Sequence, residues 1–349
     1  MRKMIMAGAK LLGRGESFVL TTVVASDGST PRGAGAWMIV ESNGDIIGTI
    51  GGGVLEARVC DLAQWVRKAQ QTVLQEYRLD GADLAGMDMT CGGRVEVLLQ
   101  YINSADRRWQ ELFVTMQEAG KKGMRSVLLT ALPPQGEQLE ELTFLWQEDG
   151  EAEEPVLQDL EKTLQELPGS RSVSVISDSH GGHWLARKIG ASQRAFVAGG
   201  GHISCCLVPL LSKLGFYTIV LDDRAEFANR ERFPQADEVV VVKDYASAFS
   251  LWVPAAEDNI VIVTRGHLYD GDVLAQALQR KASYIGMIGS KKKRDGIYQQ
   301  MLAQGFKESD LQRVHSPIGL DIGARTVEEI AISIAAEMIQ YRAKGAEEK

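Results

Sequence analysis

A glycine triplet set between a buried-type strand and a helix constrains this chain more than any other feature. Gly199-Gly200-Gly201-His202-Ile203-Ser204 follows Ala195-Phe196-Val197 and opens a helical pattern. Short apolar runs then recur at Tyr217 to Leu221, Glu238 to Val242, Asn259 to Val263 and Tyr284 to Ile288, most of them separated by helical patterns. That rhythm predicts βαβ units and a parallel, doubly wound sheet. In that setting the glycines allow a tight turn and bring backbone N–H groups to a phosphate at the helix N-terminus. The match is G-x-G-x-x-S, because Ser204 stands where the third glycine falls. Asp222 lies 23 residues after Gly199 at the end of the second strand. An acid there binds a ribose hydroxyl pair in dinucleotide sites. A nucleotide-like ligand is one reading of the motif, and a plain glycine turn is the other.

Ligands of doubly wound sheets sit beyond the carboxyl ends of the strands. Here those ends read Asp222-Asp223-Arg224, Thr264-Arg265-Gly266-His267 and Gly289-Ser290-Lys291-Lys292-Lys293-Arg294. The lysine run is the one concentrated basic patch in a chain of net charge −8. Cations are unfavourable beside a helix N-terminus, so the run reads either as a solvated helix start or as the seat of an anionic ligand. His267 and His202 read as ligand-contacting or as structural residues, with His267 also a candidate acid/base.

The length of 349 residues fits about two domains. We place the boundary near residue 190, giving a mixed α/β domain over 1–190 and a Rossmann-like domain over 191–349. An acidic chain is a poor binder of polymeric nucleic acid, which needs a basic surface. No apolar run reaches the length of a membrane span. The apolar part of the N-terminus is too short for a signal peptide, and four cysteines in a chain this long indicate reduced thiols. A cytoplasmic location is expected.

Within 1–190, Phe18 to Val24 reads as a strand, and Trp37 to Val40 with Asp45 to Ile50 as a hairpin around Ser42-Asn43-Gly44. A helix is expected from Leu55 to Gln71, and further strands at Arg94 to Leu99 and Ser126 to Thr130. An acidic stretch, Glu148 to Glu154, leads into a helix starting at Pro155. Ser172 to Ser177 is taken as the last strand of this half. Three glycine-punctuated segments stand out: Ser29-Thr30-Pro31-Arg32-Gly33-Ala34-Gly35-Ala36, Gly48 to Glu56 through Gly51-Gly52-Gly53, and Met87 to Arg94 around Cys91. Glycine clusters admit a close ligand. Cys91, beside Arg94 and exposed amides, reads either as a thiolate of lowered pKa or as a small buried hydrophobe. Cys60, Cys205 and Cys206 lie in helical patterns and read as core. His180 and His183 share a loop with no third metal ligand near.

At these motifs the chain resembles the xanthine dehydrogenase accessory family, the XdhC/CoxI proteins. The resemblance rests on Ser29-Thr30-Pro31-Arg32 with Gly35-Ala36, on Gly48 to Glu56, and on Cys91-Gly92-Gly93 in the first half. In the second it rests on Gly199-Gly200-Gly201-His202, Asp222-Asp223-Arg224, Tyr284 to Lys293, Pro317 to Ala324 and Glu328 to Glu337. Gly200 departs from the family, where many members have alanine, and residues 100–190 carry no matching motif.

The resemblance implies a cofactor-binding accessory protein in preference to an enzyme. Such a chaperone holds the molybdenum cofactor of molybdopterin type and supports its sulfuration. It then inserts the cofactor into a xanthine dehydrogenase-type client, with a cysteine desulfurase as sulfur donor. The residues carried over as cofactor contacts are Arg32, Gly51, Gly52, Gly53, Glu56, Cys91, Gly199, Gly200, Gly201, His202, Asp222, Asp223, Arg224, Arg265, His267, Gly289, Ser290, Lys291, Lys292 and Asp321. Backbone amides at Gly199 to Gly201, with Lys291 and Lys292, suit the phosphate. Asp222, Asp223 and Asp321 suit pterin or sugar donors. Cys91 suits the molybdenum or a transferred sulfur. A homodimer is expected, with Ile330, Ile334 and Met338 of the last helix packing in a dimer or in the core. The competing reading is an NAD(P)-dependent oxidoreductase, which leaves Cys91 and Gly51 to Gly53 without a task.

Overall fold

Strand β1 (Phe18–Asp27) is apolar on both faces because helices cover both sides of its sheet. In the computed structural model it pairs antiparallel with β2 (Trp37–Val40) and β5 (Arg94–Ile102). With β3 (Ile46–Gly48) and β4 (Val73–Arg78) these make a five-stranded sheet in the order β3-β2-β1-β5-β4. Helices α1 (Arg2–Gly13) and α3 (Arg107–Lys122) bury Leu11, Phe113 and Met116 against Phe18, Leu20 and Ile39. Helix α2 (Gly53–Ala69) buries Leu55, Val59 and Val66 against Val19, Val23 and Met38 on the opposite face, the alternation a strand requires. A second antiparallel sheet has the order β7-β6-β9-β8. It comprises β6 (Ser126–Ala131), β7 (Thr143–Gln147), β8 (Val173–Ser177) and β9 (His183–Ile189), and α4 (Pro155–Gln165) covers it. The expected hairpin is β2–β3, and β8 is not the last strand of this half: β9 follows it.

The structure describes all residues except 29–31, 80–92, 135–141, 149, 151, 168–172, 190–193, 257, 281 and 348–349, together with the side chains of 267 and 344–347. Contacts divide the chain into two units, Met1–Gly190 and Ala191–Lys349.

The second unit is a six-stranded sheet in the order β12-β11-β10-β13-β14-β15. Its strands are β10 (Arg194–Ala198), β11 (Tyr217–Asp222), β12 (Glu238–Val241), β13 (Asn259–Ile262), β14 (Tyr284–Met287) and β15 (Val314–His315), and every pairing is parallel. This is the 3-2-1-4-5-6 order of dinucleotide-binding sheets, with its switch point between β10 and β13. Strands buried on both faces read as continuous apolar runs, and Ala195 to Ala198 and Ile260 to Ile262 are inaccessible. Helices α6 (His267–Leu278) and α7 (Lys291–Ala303) cover one face, α5 (His202–Lys213) and α9 (Val327–Glu347) the other, and the short α8 (Glu308–Leu311) precedes β15. Thr326 and Glu329 form the expected capping box of α9: the Glu329 N–H donates to Thr326 Oγ1 (3.2 Å) and the Thr326 N–H to Glu329 Oε2 (3.0 Å). Ile334 and Met338 are buried in this unit's core, with Ile330 packed against it, so that face of α9 is core. No helix among the described residues is long and apolar enough to cross a membrane.

Candidate functional site

Each glycine of the triplet has a different task. Gly199 sits at φ +115°, and a Cβ there would collide with the Val263 carbonyl at the end of β13. A Cβ on Gly200 would lie 2.6 Å from the Phe227 carbonyl. Gly201 caps α5 at an ordinary φ of −76°, and a Cβ there would meet nothing within 4 Å. The first two glycines therefore let backbone pack on backbone, and the third opens the helix N-terminus. No side chain caps α5, so its first-turn amides are free to hold an anion. Ser204 is fully buried, with its hydroxyl donating to the Gly199 carbonyl. It braces the turn where the third fingerprint glycine would give close helix–strand packing.

Asp222 is 1% exposed. Its carboxylate accepts from Gly200 N (2.8 Å), Arg224 N (3.1 Å), Arg224 Nε (3.0 Å) and Arg224 Nη2 (3.2 Å). A carboxylate has about four accepting positions, and the protein's own donors take all of them. Asp222 thus fixes the glycine turn and aims Arg224, which lies 3.6 Å above the Phe227 ring. Asp223 binds Arg265 through both oxygens. This hydrogen bonding holds the Asp223 carboxyl below its usual range against the opposing effect of burial, and raises the Arg265 guanidinium. Arg265 also stacks 4.3 Å over Tyr269.

Beyond β13 and β14 a second carboxylate organises the loops. Asp270, fully buried, accepts from Thr264 Oγ1 (2.6 Å), Thr264 N (3.2 Å) and Lys293 Nζ (2.5 Å). Burial raises its pKa, opposed by Lys293 and Thr264. Gly289, at φ +150°, leaves room for the Lys293 side chain to fold back. Ser290 caps α7, its Oγ accepting from Lys293 N (3.3 Å). Lys291 and Lys292 are exposed in the first turn of α7, as His202 is in that of α5. His267 is the first residue of α6, and its side chain lies outside the described atoms.

The structure thus gathers Gly199 to Gly201, Asp222 to Arg224, Arg265 and Gly289 to Lys292 at the carboxyl ends of adjacent strands, with His267 at the head of α6. Asp321 is exposed in the loop after β15 at the same edge. Sequence reasoning missed Phe227, Tyr269 and Asp270. An acid in the first turn of a helix that follows a strand end was the available signal for Asp270.

In the first unit, Gly51, Gly52 and Gly53 all have positive φ (135°, 75°, 62°). Glu56 Oε2 accepts from Thr49 Oγ1 (2.6 Å), Gly52 N (3.2 Å) and Ile50 N (3.3 Å), and Gly51 N donates to Thr49 Oγ1 (3.1 Å). The loop folds its amides onto one oxygen of its own carboxylate. Arg32 is exposed on the loop after β1. Cys91 lies outside the described residues, as do Ser29, Thr30 and Pro31. Cys60, Cys205 and Cys206 are half-buried and pack against the two cores. His180 and His183 flank a turn held by Asp178, which accepts from the N–H groups of His180 and Gly182. Among the described residues no three metal-ligating side chains cluster.

Fold and site together define a Rossmann domain with an open helix N-terminus, carried with an antiparallel α/β unit. Residues 196–338 match the XdhC Rossmann domain, and residues 11–78 match the XdhC and CoxI family. The chain belongs to the XdhC and CoxI family. It is 27% identical over 342 residues to a Bacillus subtilis (strain 168) protein named as a probable xanthine dehydrogenase subunit, covering 95% of both chains. It is 24% identical over 336 residues to the uncharacterized protein YqeB of Escherichia coli (strain K12), covering 96% of this chain and only 45% of that longer relative. A crystal structure described as a xanthine dehydrogenase from Bacillus halodurans superposes with a TM-score of 0.75 at 27% identity, covering 97% of this chain and 95% of that one.

Proposed function

We propose that this chain is an accessory protein of a xanthine dehydrogenase-type molybdenum hydroxylase, and that its Rossmann unit holds the molybdopterin-type cofactor by its phosphate. The observation that carries the reading is the uncapped N-terminus of α5 at Gly201, the one glycine of the turn with open space above it. The α5 amides and helix dipole take the phosphate oxygens. Lys291 and Lys292, exposed where a helix dipole disfavours cations, supply countercharge. Arg224 and Arg265 are held rigid by Asp222 and Asp223 and border the same edge. The bound group supplies a molybdenum centre on a pterin dithiolene. Cys91 is proposed to handle the transferred sulfur, with a cysteine desulfurase as donor, the client enzyme as recipient and a homodimer as the working form.

Purification from a cofactor-producing host, followed by oxidation and pterin fluorescence, tests the reading. Pterin is expected with wild-type protein, and its absence from intact protein would overturn the proposal. Full retention by Cys91→Ala would remove the role of Cys91. The oxidoreductase reading draws on the strand order, the glycine turn and His267 as acid/base. The acid it needs for a ribose diol is Asp222, whose acceptors are occupied, so NADH titration is expected to show no saturable binding.

A further inference from the structure

Strand β7 is an edge of the second sheet of the first unit, paired with β6 and with no other strand among the described residues. Its register leaves one row of backbone groups open. The Leu142 carbonyl accepts from Ala131 N (2.9 Å), and Phe144 and Trp146 stand opposite Leu129 and Val127. Antiparallel pairing alternates, so Leu142, Phe144 and Trp146 turn their N–H and C=O groups to β6, while Thr143 and Leu145 turn theirs outward. Natural sheets blunt such an edge with charges or proline, and Thr143-Phe144-Leu145-Trp146-Gln147 holds neither. Four successive residues, Leu142 to Leu145, line a groove of about 550 Å³ that α3 and the start of α4 complete, a volume ordinary for a ligand site. The groove therefore runs along the outer edge of β7, since β6 covers the inner one. Half-buried Leu112, Phe144 and Leu145 line it with the exposed Leu142, so its floor is apolar and meets solvent. Its rim is acidic, with Glu111, Glu153 and Glu154 all exposed. Arg108, the one lining cation, has its guanidinium bound to Asp106 (2.8 Å).

We infer that this groove is a docking site for an extended, basic and apolar segment of a partner polypeptide, which adds to the sheet as a strand beside β7. The chemistry selects that occupant on two counts. The outward N–H and C=O groups of Thr143 and Leu145 call for main-chain donors and acceptors in alternation, and strand addition supplies both. The apolar side chains of the added strand cover the groove floor, and its lysine or arginine side chains reach the three carboxylates of the rim. An acidic segment is repelled by that rim, and a proline-rich one lacks the donors. The site lies wholly within the first unit and stands or falls independently of the cofactor seat at Gly201.

Fluorescence anisotropy tests it, with the full chain titrated into a fluorescein-labelled peptide, Lys-Val-Val-Lys-Val-Val-Lys. Saturable binding is expected, weakening as sodium chloride rises because exposed charges are screened. The analogue with glutamate in place of each lysine should not bind. Methylating every backbone nitrogen of the basic peptide keeps its side chains but removes its N–H donors, and should weaken binding about tenfold or more. Glu111→Lys with Glu153→Lys reverses two exposed charges, leaves the core untouched, and should weaken binding about tenfold. Hydrogen exchange should slow at the Thr143 and Leu145 amides when the peptide binds. No saturable binding, or equal binding of the acidic or the methylated analogue, overturns the inference. So does an unchanged affinity of the charge-reversed variant, or exchange that slows only outside β7.

Discussion

Substituting alanine for each end of the glycine triplet separates architecture from ligand binding. At Gly199, φ is +115°, and a side chain in so sparsely populated a region costs about 1–3 kcal/mol. The new Cβ also meets the Val263 backbone carbonyl, which cannot rotate away as a side chain would. Overpacking of that kind adds about 1–3 kcal/mol, so Gly199→Ala should cost about 2–6 kcal/mol in all. For a unit of this size each kcal/mol lowers Tm by about 2–4 °C, so a fall of at least several degrees is expected. At Gly201, φ is already ordinary and the Cβ points into open space. The loss of a preferred N-cap residue and the reduced entropy of the unfolded chain nearly offset each other, leaving about 1 kcal/mol or less. The same methyl group stands where a phosphate oxygen would approach the first-turn amides. Scanning calorimetry of the full chain, which resolves the two units if they melt separately, should therefore find Gly201→Ala near wild type and Gly199→Ala clearly destabilised. Pterin fluorescence should find both depleted. If Gly201→Ala melts as low as Gly199→Ala, or keeps a wild-type load of pterin, the open face is not the anion seat and the argument fails.

Three further outcomes follow from named contacts. Asp258 binds Arg194 through both its oxygens while 1% exposed, so Asp258→Ala strands a buried cation and should cost about 3–5 kcal/mol in equilibrium urea unfolding; a loss below about 1 kcal/mol would show that the pair contributes little. Burial alone would raise the Glu337 carboxyl, but hydrogen bonds from His315, Tyr284 and Gly319 outweigh it and hold the pKa below the usual value. Glu337 therefore contributes stability that is present above the unfolded value of about 4.3 and is lost as pH falls through the lower folded one. Stability measured from pH 6 to pH 3 should fall less steeply in Glu337→Gln, and an unchanged acid limb would count against the assignment. Lys291→Glu with Lys292→Glu should leave Tm unchanged or slightly raised, since acids suit a helix N-terminus, while retained pterin drops at least tenfold; unchanged retention would remove both lysines from the site.

The second unit was legible because its strands are buried on both faces, so Phe196 to Ala198 and Ile260 to Ile262 carry no polar interruption. The capping box of α9 was legible because Thr326 and Glu329 act locally. Strand β9 was missed because Arg187 and Lys188 break its apolar alternation, and Arg187 is inside. Helix α1 was missed because its residues were weighed only as a leader segment, although Met4, Ile5, Leu11 and Leu12 mark one face. Asp222 was placed correctly at a strand end, yet its partner is a guanidinium two residues on that turns back. Spacing reports that an acid is present, and only packing reports which donors have reached it first.

The two glycine loops make the same point about function. Gly51 to Gly53 and Gly199 to Gly201 are alike in composition, each runs into a helix, and each puts amides near an N-terminus. In the first, Glu56 sits one turn into α2 and reaches back to Thr49, Ile50 and Gly52, so a carboxylate of the chain takes the place an anion would fill. In the second, the nearby acid is Asp222, which takes only the Gly200 N–H and turns its other acceptors to Arg224. The amides of α5 are left for something else. Like composition therefore hides unlike occupancy: Glu56 reaches back to three groups of the N-terminal loop, whereas at the Rossmann turn Asp222 takes only the Gly200 N–H.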